Sequence, residues 1–270
     1  MQLSATLTVM VQAARKAARG LQRDFGEVEN LQVSRKGPGD FVTAADLKAE
    51  KVLREELAKA RPGYSFLLEE AGEVKGSDKS HRWIIDPLDG TTNFMHGIPV
   101  FAISIALERA GEVVAGLVYN PVTDEMFLAE KGRGAFLNNR RLRVAARTEL
   151  TDAVICTGIP HLGRPSPLFL PMLSELMPRV AGIRRTGSAA LDLAYVAAGR
   201  FDGFWEAGLA PWDMAAGLCL IREAGGTVSD LSGKDKIFET GGVLTANERL
   251  HGPLLDLLKK ARKSSAASDT

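Results

Sequence analysis

The sequence predicts a mixed chain in two portions, α+β over residues 1–147 and α/β over 148–270. Three observations lead there. Leu7, Met10, Val11, Ala14, Ala17, Ala18 and Leu21 recur at helical spacing near the start, and Leu47, Val52, Leu53 and Leu57 repeat the pattern after Thr43. The stretch "AISIALERAGEVVAGLVYNPVTDEMFLAEKGRGAFLN" (102–138) breaks its apolar runs with Ala-Gly, Asn-Pro and Lys-Gly turns at hairpin spacing, the pattern of an antiparallel meander. Beyond residue 147, short apolar runs alternate with amphipathic stretches, as α/β units require.

Two helices therefore open the chain, the second entered through Thr43-x-x-Asp46, which approximates a capping box. "YSFLLEE" (64–70) and "RWIIDP" (82–87) read as strands leading into the meander. In the second portion, strand "DAVICTG" precedes a helix over 166–177, strand "VAGIRRTG", helix "SAALDLAYVAAG" and strand "FDGFWEAG". Helix "PWDMAAGLCLIREAGG", strands "GTVSDLSG" and "GGVLTAN", and a last helix "ERLHGPLLDLLKKAR" complete it. No Pro- or Ser-rich linker separates the portions, so they are expected to share an extensive interface, and no long repeat is visible. The tail "KKARKSSAASDT" is expected to fray.

A chain of 270 residues can bury a sizeable core, and 45% hydrophobic with 25% charged residues excludes a disordered chain. No apolar stretch approaches the roughly 20 residues of a membrane helix, and no basic segment precedes the first apolar residues as in a secretory signal. Cys156 and Cys219 are too few for a disulfide framework and lie in apolar runs, where buried thiols are expected. Together these favour a soluble cytoplasmic protein. A net charge of +1 gives no global attraction to nucleic acid; the basic clusters "NNRRLRVAAR" (138–147) and Arg184-Arg185 are expected to be solvated or interface surface.

Nucleotide motifs are missing: there is no Walker sequence, and Gly132-Arg133-Gly134 lacks the third glycine of a dinucleotide fingerprint. His81, His96, His161 and His251 are too scattered for zinc, and no G-x-S-x-G elbow occurs. The acidic residues remain. In "RWIIDPLDGTTNF", Asp86 and Asp89 stand where an apolar run ends; Glu69, beside Glu70, ends the preceding strand, and Asp213 opens the helix of "APWDMAAG". Buried carboxylates repel one another and resist desolvation, so a cation must compensate them. A cluster of hard oxygen donors favours Mg²⁺, Mn²⁺ or Ca²⁺ over zinc, and carboxylates bridging ions about 3.5–4 Å apart clamp in-line displacements in many phosphatases. Gly90 permits a tight turn after Asp89, and Thr91-Thr92 can begin a helix whose N–H groups face a phosphate. Simpler readings stand beside this one. Asp89 could cap the helix with Asp86 solvated, Asp213 behind Pro211 could offset a helix dipole, and Asp46 could only cap the second helix.

"WIIDPLDGTTNF" together with "PWDMAAGLCLIREAGG" resembles the two signatures of the inositol monophosphatase family. The likeness extends to "DFVTAAD" upstream and "RRTGSAALDLAYVAAGRFDGFWEAG" between them, covering residues 35–246. The resemblance implies a layered αβαβα fold, Mg²⁺-dependent hydrolysis of phosphate monoesters without a phosphoenzyme, lithium sensitivity and usually a homodimer. It implies that Glu69, Asp86 and the Leu88 carbonyl hold a first Mg²⁺ and that Asp86, Asp89 and Asp213 hold a second, with a weaker third ion sharing Glu69 and Mn²⁺ as a substitute. Thr91, with Asp46 behind it, would orient the attacking water. Asp89 and the Gly90 and Thr91 amides would contact the phosphate end of the substrate, Gly187-Ser188-Ala189 and Glu206 its hydroxyls, and Lys36 matches a basic residue of a mobile loop. The implied substrate is myo-inositol 1-phosphate, with fructose 1,6-bisphosphate, histidinol phosphate and other polyol phosphates as alternatives. A further alternative is a regulatory role in an RNA or transcription complex, with which a bacterial relative in the family is associated. One departure stands out: Leu68-Glu69-Glu70-Ala71 replaces the family's Gly-Glu-Glu-Ser, which bears on the third ion and on the choice of Glu69 over Glu70.

Overall fold

Small residues dominate the buried face of α1 (Ala5–Phe25), where Ala13, Ala14, Ala17 and Ala18 lie between Met10 and Leu21, and Ser4 opens the helix by accepting the Leu7 amide. The structure, a computed structural model, describes residues 2–27, 33–37, 40–160 and 166–268, with side chains over 2–27, 43–160 and 166–262. After α1 come an antiparallel hairpin of β1 (Val33–Gly37) and β2 (Asp40–Thr43), then α2 (Ala44–Ala60), which packs against α1. Among the described residues no helix is long and apolar enough to cross a membrane.

The first large sheet follows from β3 (Ser65–Leu68), β4 (Gly72–Val74) and β5 (His81–Asp89); the short helix α3 (Thr91–Met95) then intervenes before β6 (Ala102–Arg109). Strands β7 (Glu112–Asn120), β8 (Glu125–Glu130), β9 (Gly134–Leu137) and β10 (Arg140–Arg141) complete eight strands in the order β10-β9-β8-β7-β6-β5-β3-β4. The run β5 to β10 is antiparallel throughout and contains the expected meander; β3 alone runs parallel to its neighbour β5. Alternate residues face opposite sides. Trp83, Ile85, Ile103 and Ile105 pack with α1 and α2, whereas Ile84, Ala102 and Ala106 pack with helices that follow.

Those helices belong to the second portion: β11 (Val154–Thr157), α4 (Phe169–Leu176), β12 (Gly182–Arg184), α5 (Ala189–Ala197), β13 (Gly203–Glu206) and α6 (Pro211–Glu223). β14 (Thr227–Ser229), α7 (Ile237–Thr240), β15 (Val243–Ala246) and α8 (Glu248–Ser268) end the chain. Five strands form a sheet in the order β12-β11-β13-β15-β14, parallel across β12, β11 and β13 and antiparallel at β15. Cys156, Phe204 and Val243 face α5 and α6; Ile155, Trp205 and Leu244 face α4 and α8. The layers are therefore α1/α2, the eight-stranded sheet, α5/α6, the five-stranded sheet and α4/α8, the αβαβα order that the resemblance implies.

Three local expectations change. Leu47, placed on the apolar face of the second helix, is 54% exposed, because α2 turns Asp46 and Glu50 inward with Ala45, Ala49, Leu53 and Leu57. The hairpin β1–β2, β4, β10 and α7 carry no apolar periodicity and were not expected. The last helix continues to Ser268 where fraying is expected, through Lys, Arg and Ala residues of good helix propensity.

Candidate active site

The pairing of β5 with β6 explains why two aspartates stand three residues apart. Asp86 pairs with Ser104 and Asp89 with Ala102, so three steps on β5 match two on β6. In a regular strand residues three apart face opposite sides, and the one extra residue of this bulge returns Asp89 to the face of Asp86. Ala102 packs with α5 and α6, so both carboxylates enter the layer between the two sheets. Gly90 then adopts φ 97°, and a Cβ there would stand 2.9 Å from the Val100 carbonyl oxygen, so glycine is required twice over.

Asp89 does not cap α3. Gly90 occupies the N-cap with no side-chain bond, while Asp89 Oδ2 accepts from Ser188 Oγ at 2.5 Å and from the Ala190 amide at 2.7 Å, across at the start of α5. Nor is Asp86 solvated: it is 2% exposed, and its Oδ1 accepts the Leu88 amide at 2.9 Å. Asp213 does close the first turn of α6, accepting the Ala210 amide at 2.8 Å through Oδ2. Yet that turn also borders the cavity, so capping fixes the carboxylate there. The Glu69 amide donates to Ile85 O at 3.2 Å, which sets Glu69 beside Asp86, and of the two neighbouring glutamates it is Glu69 that lines the cavity.

One cavity of about 160 Å³ gathers Glu69, Asp86, Leu88, Asp89, Gly90, Thr91, Gly187, Ser188, Ala189, Glu206 and Asp213. Asp46 stands behind its wall, and Lys36 lies outside the residues whose side chains are described. Burial, then the charges of Glu69, Asp89 and Asp213, push the Asp86 carboxyl well above its ordinary range. Burial and the charge of Asp213 raise Asp89 to about 7 although Ser188 and Ala190 donate to it. Four mutually repelling carboxylates of this kind call for a cation. As hard oxygen donors, with Asp86, Asp89 and Asp213 each held by a hydrogen-bond donor, they fit a magnesium-like ion in donor type and number. They line the wall rather than closing on a point: among the described residues no three His, Cys, Asp or Glu side chains form a ready-made ligand shell.

Beside the acids, Thr91 Oγ1 lies 3.1 Å from Asp46 Oδ1 and 3.0 Å from Leu88 O, so its single proton can go to either. Asp46 is placed by its own helix start, where Oδ2 accepts the Thr43 amide at 2.9 Å and the Thr43 hydroxyl at 2.5 Å. Burial raises the Asp46 pKa, against those two bonds and the one from Thr91.

Further residues that the sequence does not assign to the site also shape it. Asn93 Nδ2 donates to Val100 O at 2.7 Å and Thr186 O at 2.9 Å, tying α3 to the segment before α5. Asp192 is 1% exposed, accepts the Thr186 hydroxyl at 2.5 Å and is raised to about 7 by burial. Arg185 stands exposed on the cavity wall. Gly158 leaves open the space that the Glu206 carboxylate occupies, since a Cβ would overlap it. A signal existed for Asp192, a lone acid inside the apolar run "AALDLAYVA". None existed for Gly158, whose role depends on a strand pairing.

A sequence profile of the inositol monophosphatase family matches residues 2–264. The chain is 62% identical over 261 residues to an inositol-1-monophosphatase of Mesorhizobium japonicum, covering 96% of this chain and 98% of that one. It is 44% identical over 245 residues to the Nus factor SuhB of Escherichia coli, covering 90% and 92%. The crystal structure of the extragenic suppressor protein suhB from Bartonella henselae matches with a TM-score of 0.93 at 58% identity, covering 95% of this chain and 99% of that one.

Proposed function

The chain belongs to the inositol monophosphatase family, and from that premise we propose that it is a magnesium-dependent phosphomonoesterase that hydrolyses myo-inositol 1-phosphate to inositol and phosphate. The observation that carries the reading is the convergence of four carboxylates on one cavity beside the Thr91–Asp46 hydrogen bond. Glu69, Asp86, the Leu88 carbonyl, Asp89 and Asp213 would hold two Mg²⁺, with a weaker third sharing Glu69 and Mn²⁺ as a substitute. Bound there, the ions supply Lewis acidity to the attacking water and the departing alkoxide.

The protein's own groups do the remaining work. Thr91 Oγ1, on the cavity wall, accepts a proton from the attacking water as it passes its own to Asp46 Oδ1. Asp46, buried and with a raised pKa, can keep that proton while the ester bond breaks. Gly90, the N-cap of α3, and Thr91 offer first-turn amides to the phosphate oxygens, which stay bound as charge shifts toward the leaving oxygen. Across the cavity, Gly187, Ser188, Ala189 and Glu206 form a polar wall suited to a polyol.

Phosphate release from inositol 1-phosphate, measured with and without Mg²⁺, tests this. Activity should require the metal, fall by about 10²-fold or more in Asp89→Asn and Asp213→Asn, and be inhibited by Li⁺. Metal-independent turnover, or unchanged rates in both variants, would refute it. Values of kcat/KM across inositol 1-phosphate, fructose 1,6-bisphosphate and histidinol phosphate rank the substrates, because gripping the shared phosphate cannot discriminate among them. A cytoplasmic homodimer completes the proposal, and sedimentation of the full chain tests its oligomeric half. The match to a Nus factor favours one second reading, a regulatory binding role; RNA retention that falls with salt and survives chelation would support it, and no binding at low salt would remove it.

A further inference from the structure

α2 buries two acids one helical turn apart, Asp46 and Glu50, at 1% and 5% exposure. Asp46 holds Thr91. Glu50 serves a different segment: its Oε2 accepts the Glu70 amide at 2.9 Å and its Oε1 the Ala71 amide at 3.0 Å. Those amides belong to the turn that joins β3 to β4, directly after Glu69. We propose that Glu50 is a positioning residue of the metal centre, gripping the two amides after Glu69 so that this side chain enters the cavity at a fixed place and sets the affinity for divalent metal.

Ala71 has no hydroxyl to bond back into the turn, and Gly72 follows with φ 73°. A carboxylate with one oxygen on each amide supplies two charge-assisted bonds in fixed directions. Because residues four apart lie on one helix face, about 5–6 Å between Cβ atoms, α2 holds two ligand-bearing segments at a set separation. Asp46 bonds Thr91, at the end of the stretch that begins with Asp86, and Glu50 holds the turn after Glu69. An acid turned inward where the same helix leaves Leu47 exposed is poor use of a core face unless the acid has such a role.

The inference rests on the metal-dependent reading above. The decisive variant is Glu50→Gln, which keeps size and one acceptor but points an NH₂ group at the other amide. Calorimetric titration of Mn²⁺ into the full chain should give a Kd raised about tenfold or more, the usual effect of losing a residue that orients a ligand. The Mg²⁺ concentration for half-maximal activity should rise in parallel, while KM for the phosphate ester at saturating metal stays within about twofold. Ala49→Gly, a destabilising change on the same buried face, is the control: it should lower Tm and leave the metal Kd unchanged. A folded Glu50→Gln protein that binds Mn²⁺ within about twofold of the parent overturns the proposal. If that variant does not fold, the same titration on Glu50→Asp decides, a raised Kd supporting the proposal and an unchanged one overturning it. If the parent chain itself binds no divalent metal, the functional reading fails and the proposal with it; if the parent binds and the variant binds equally, the proposal alone fails.

Discussion

Asp89 carries two opposing demands, since burial and Asp213 raise it to about 7 while Ser188 and Ala190 hold it as an acceptor. Without metal, the folded chain keeps a proton on this carboxyl that the unfolded chain, with the ordinary aspartate value of 3.8, gives up. The associated stability is full below 3.8 and is lost as pH rises through about 7. In chelator, Tm should therefore fall across that window, and Mg²⁺ should restore it at the upper end, where it displaces no proton from Asp89. Asp89→Asn should flatten part of the metal-free slope; an unchanged Tm profile in that variant would rule the assignment out. A second expectation concerns Gly158, whose missing side chain leaves room for the Glu206 carboxylate. Gly158→Ala meets only the end of a flexible side chain, so the fold should survive while Glu206 moves. KM for inositol 1-phosphate should rise about tenfold, the worth of one hydrogen bond to a charged group, with hydrolysis of p-nitrophenyl phosphate unaffected. Equal losses on both substrates would count against a hydroxyl-binding role for Glu206. At this scale the sequence singles out the acids that the cavity gathers but not how they reach one face, because the bulge at Pro87-Leu88 is a property of the pairing with β6.

Among the elements, the legible ones have a strong period or punctuation: α1 by its alanine stripe, the meander by its turns, α6 by Pro211 at its start. α2 misleads in one respect, because apolar spacing places Leu47 inside whereas the helix orients by what its acids hold. Apart from Thr43, which caps the helix locally, the groups those acids hold (Thr91, Glu70 and Ala71) lie in distant segments, invisible to any local window. Close packing of elements is equally hidden until two helices meet. Gly217 on α6 lies so near α5 that a Cβ would stand 2.5 Å from Leu193 Cβ. Gly217→Ala must push these helices apart, and it should cost about 1–3 kcal/mol in urea denaturation, the usual range for overpacking. Because α5 opens at Ser188 and α6 carries Asp213, the same shift should weaken metal binding. A variant as stable as the parent would mean the helix pair has slack that the packing does not suggest.

Across the whole molecule, α6 joins what the sequence divides at residue 147. Its residues from Asp213 to Ile221 are buried without interruption, the mark of a helix surrounded on all sides. A single apolar core contains Ala102 and Val118 of the eight-stranded sheet, Met214 and Leu218 of α6, and Cys156 and Phe204 of the five-stranded sheet. The cavity likewise draws Glu69, Asp86 and Asp89 from one portion and Ser188, Glu206 and Asp213 from the other. Separating the portions would expose that core and leave three like charges without Asp213 or the groups that hold Asp89. We therefore expect them to unfold together. Calorimetry in Mg²⁺ should give one transition, with Tm climbing as the ion is raised above its Kd by the mass-action relation for ligand bound to the native state alone. Tryptophan emission, reporting Trp83 under α1 and α2, Trp205 beneath α4 and α8 and Trp212 on α6 between the sheets, should follow the same curve. Two resolved transitions, only one of them moving with Mg²⁺, would show instead that one portion carries the metal site and folds independently of the other.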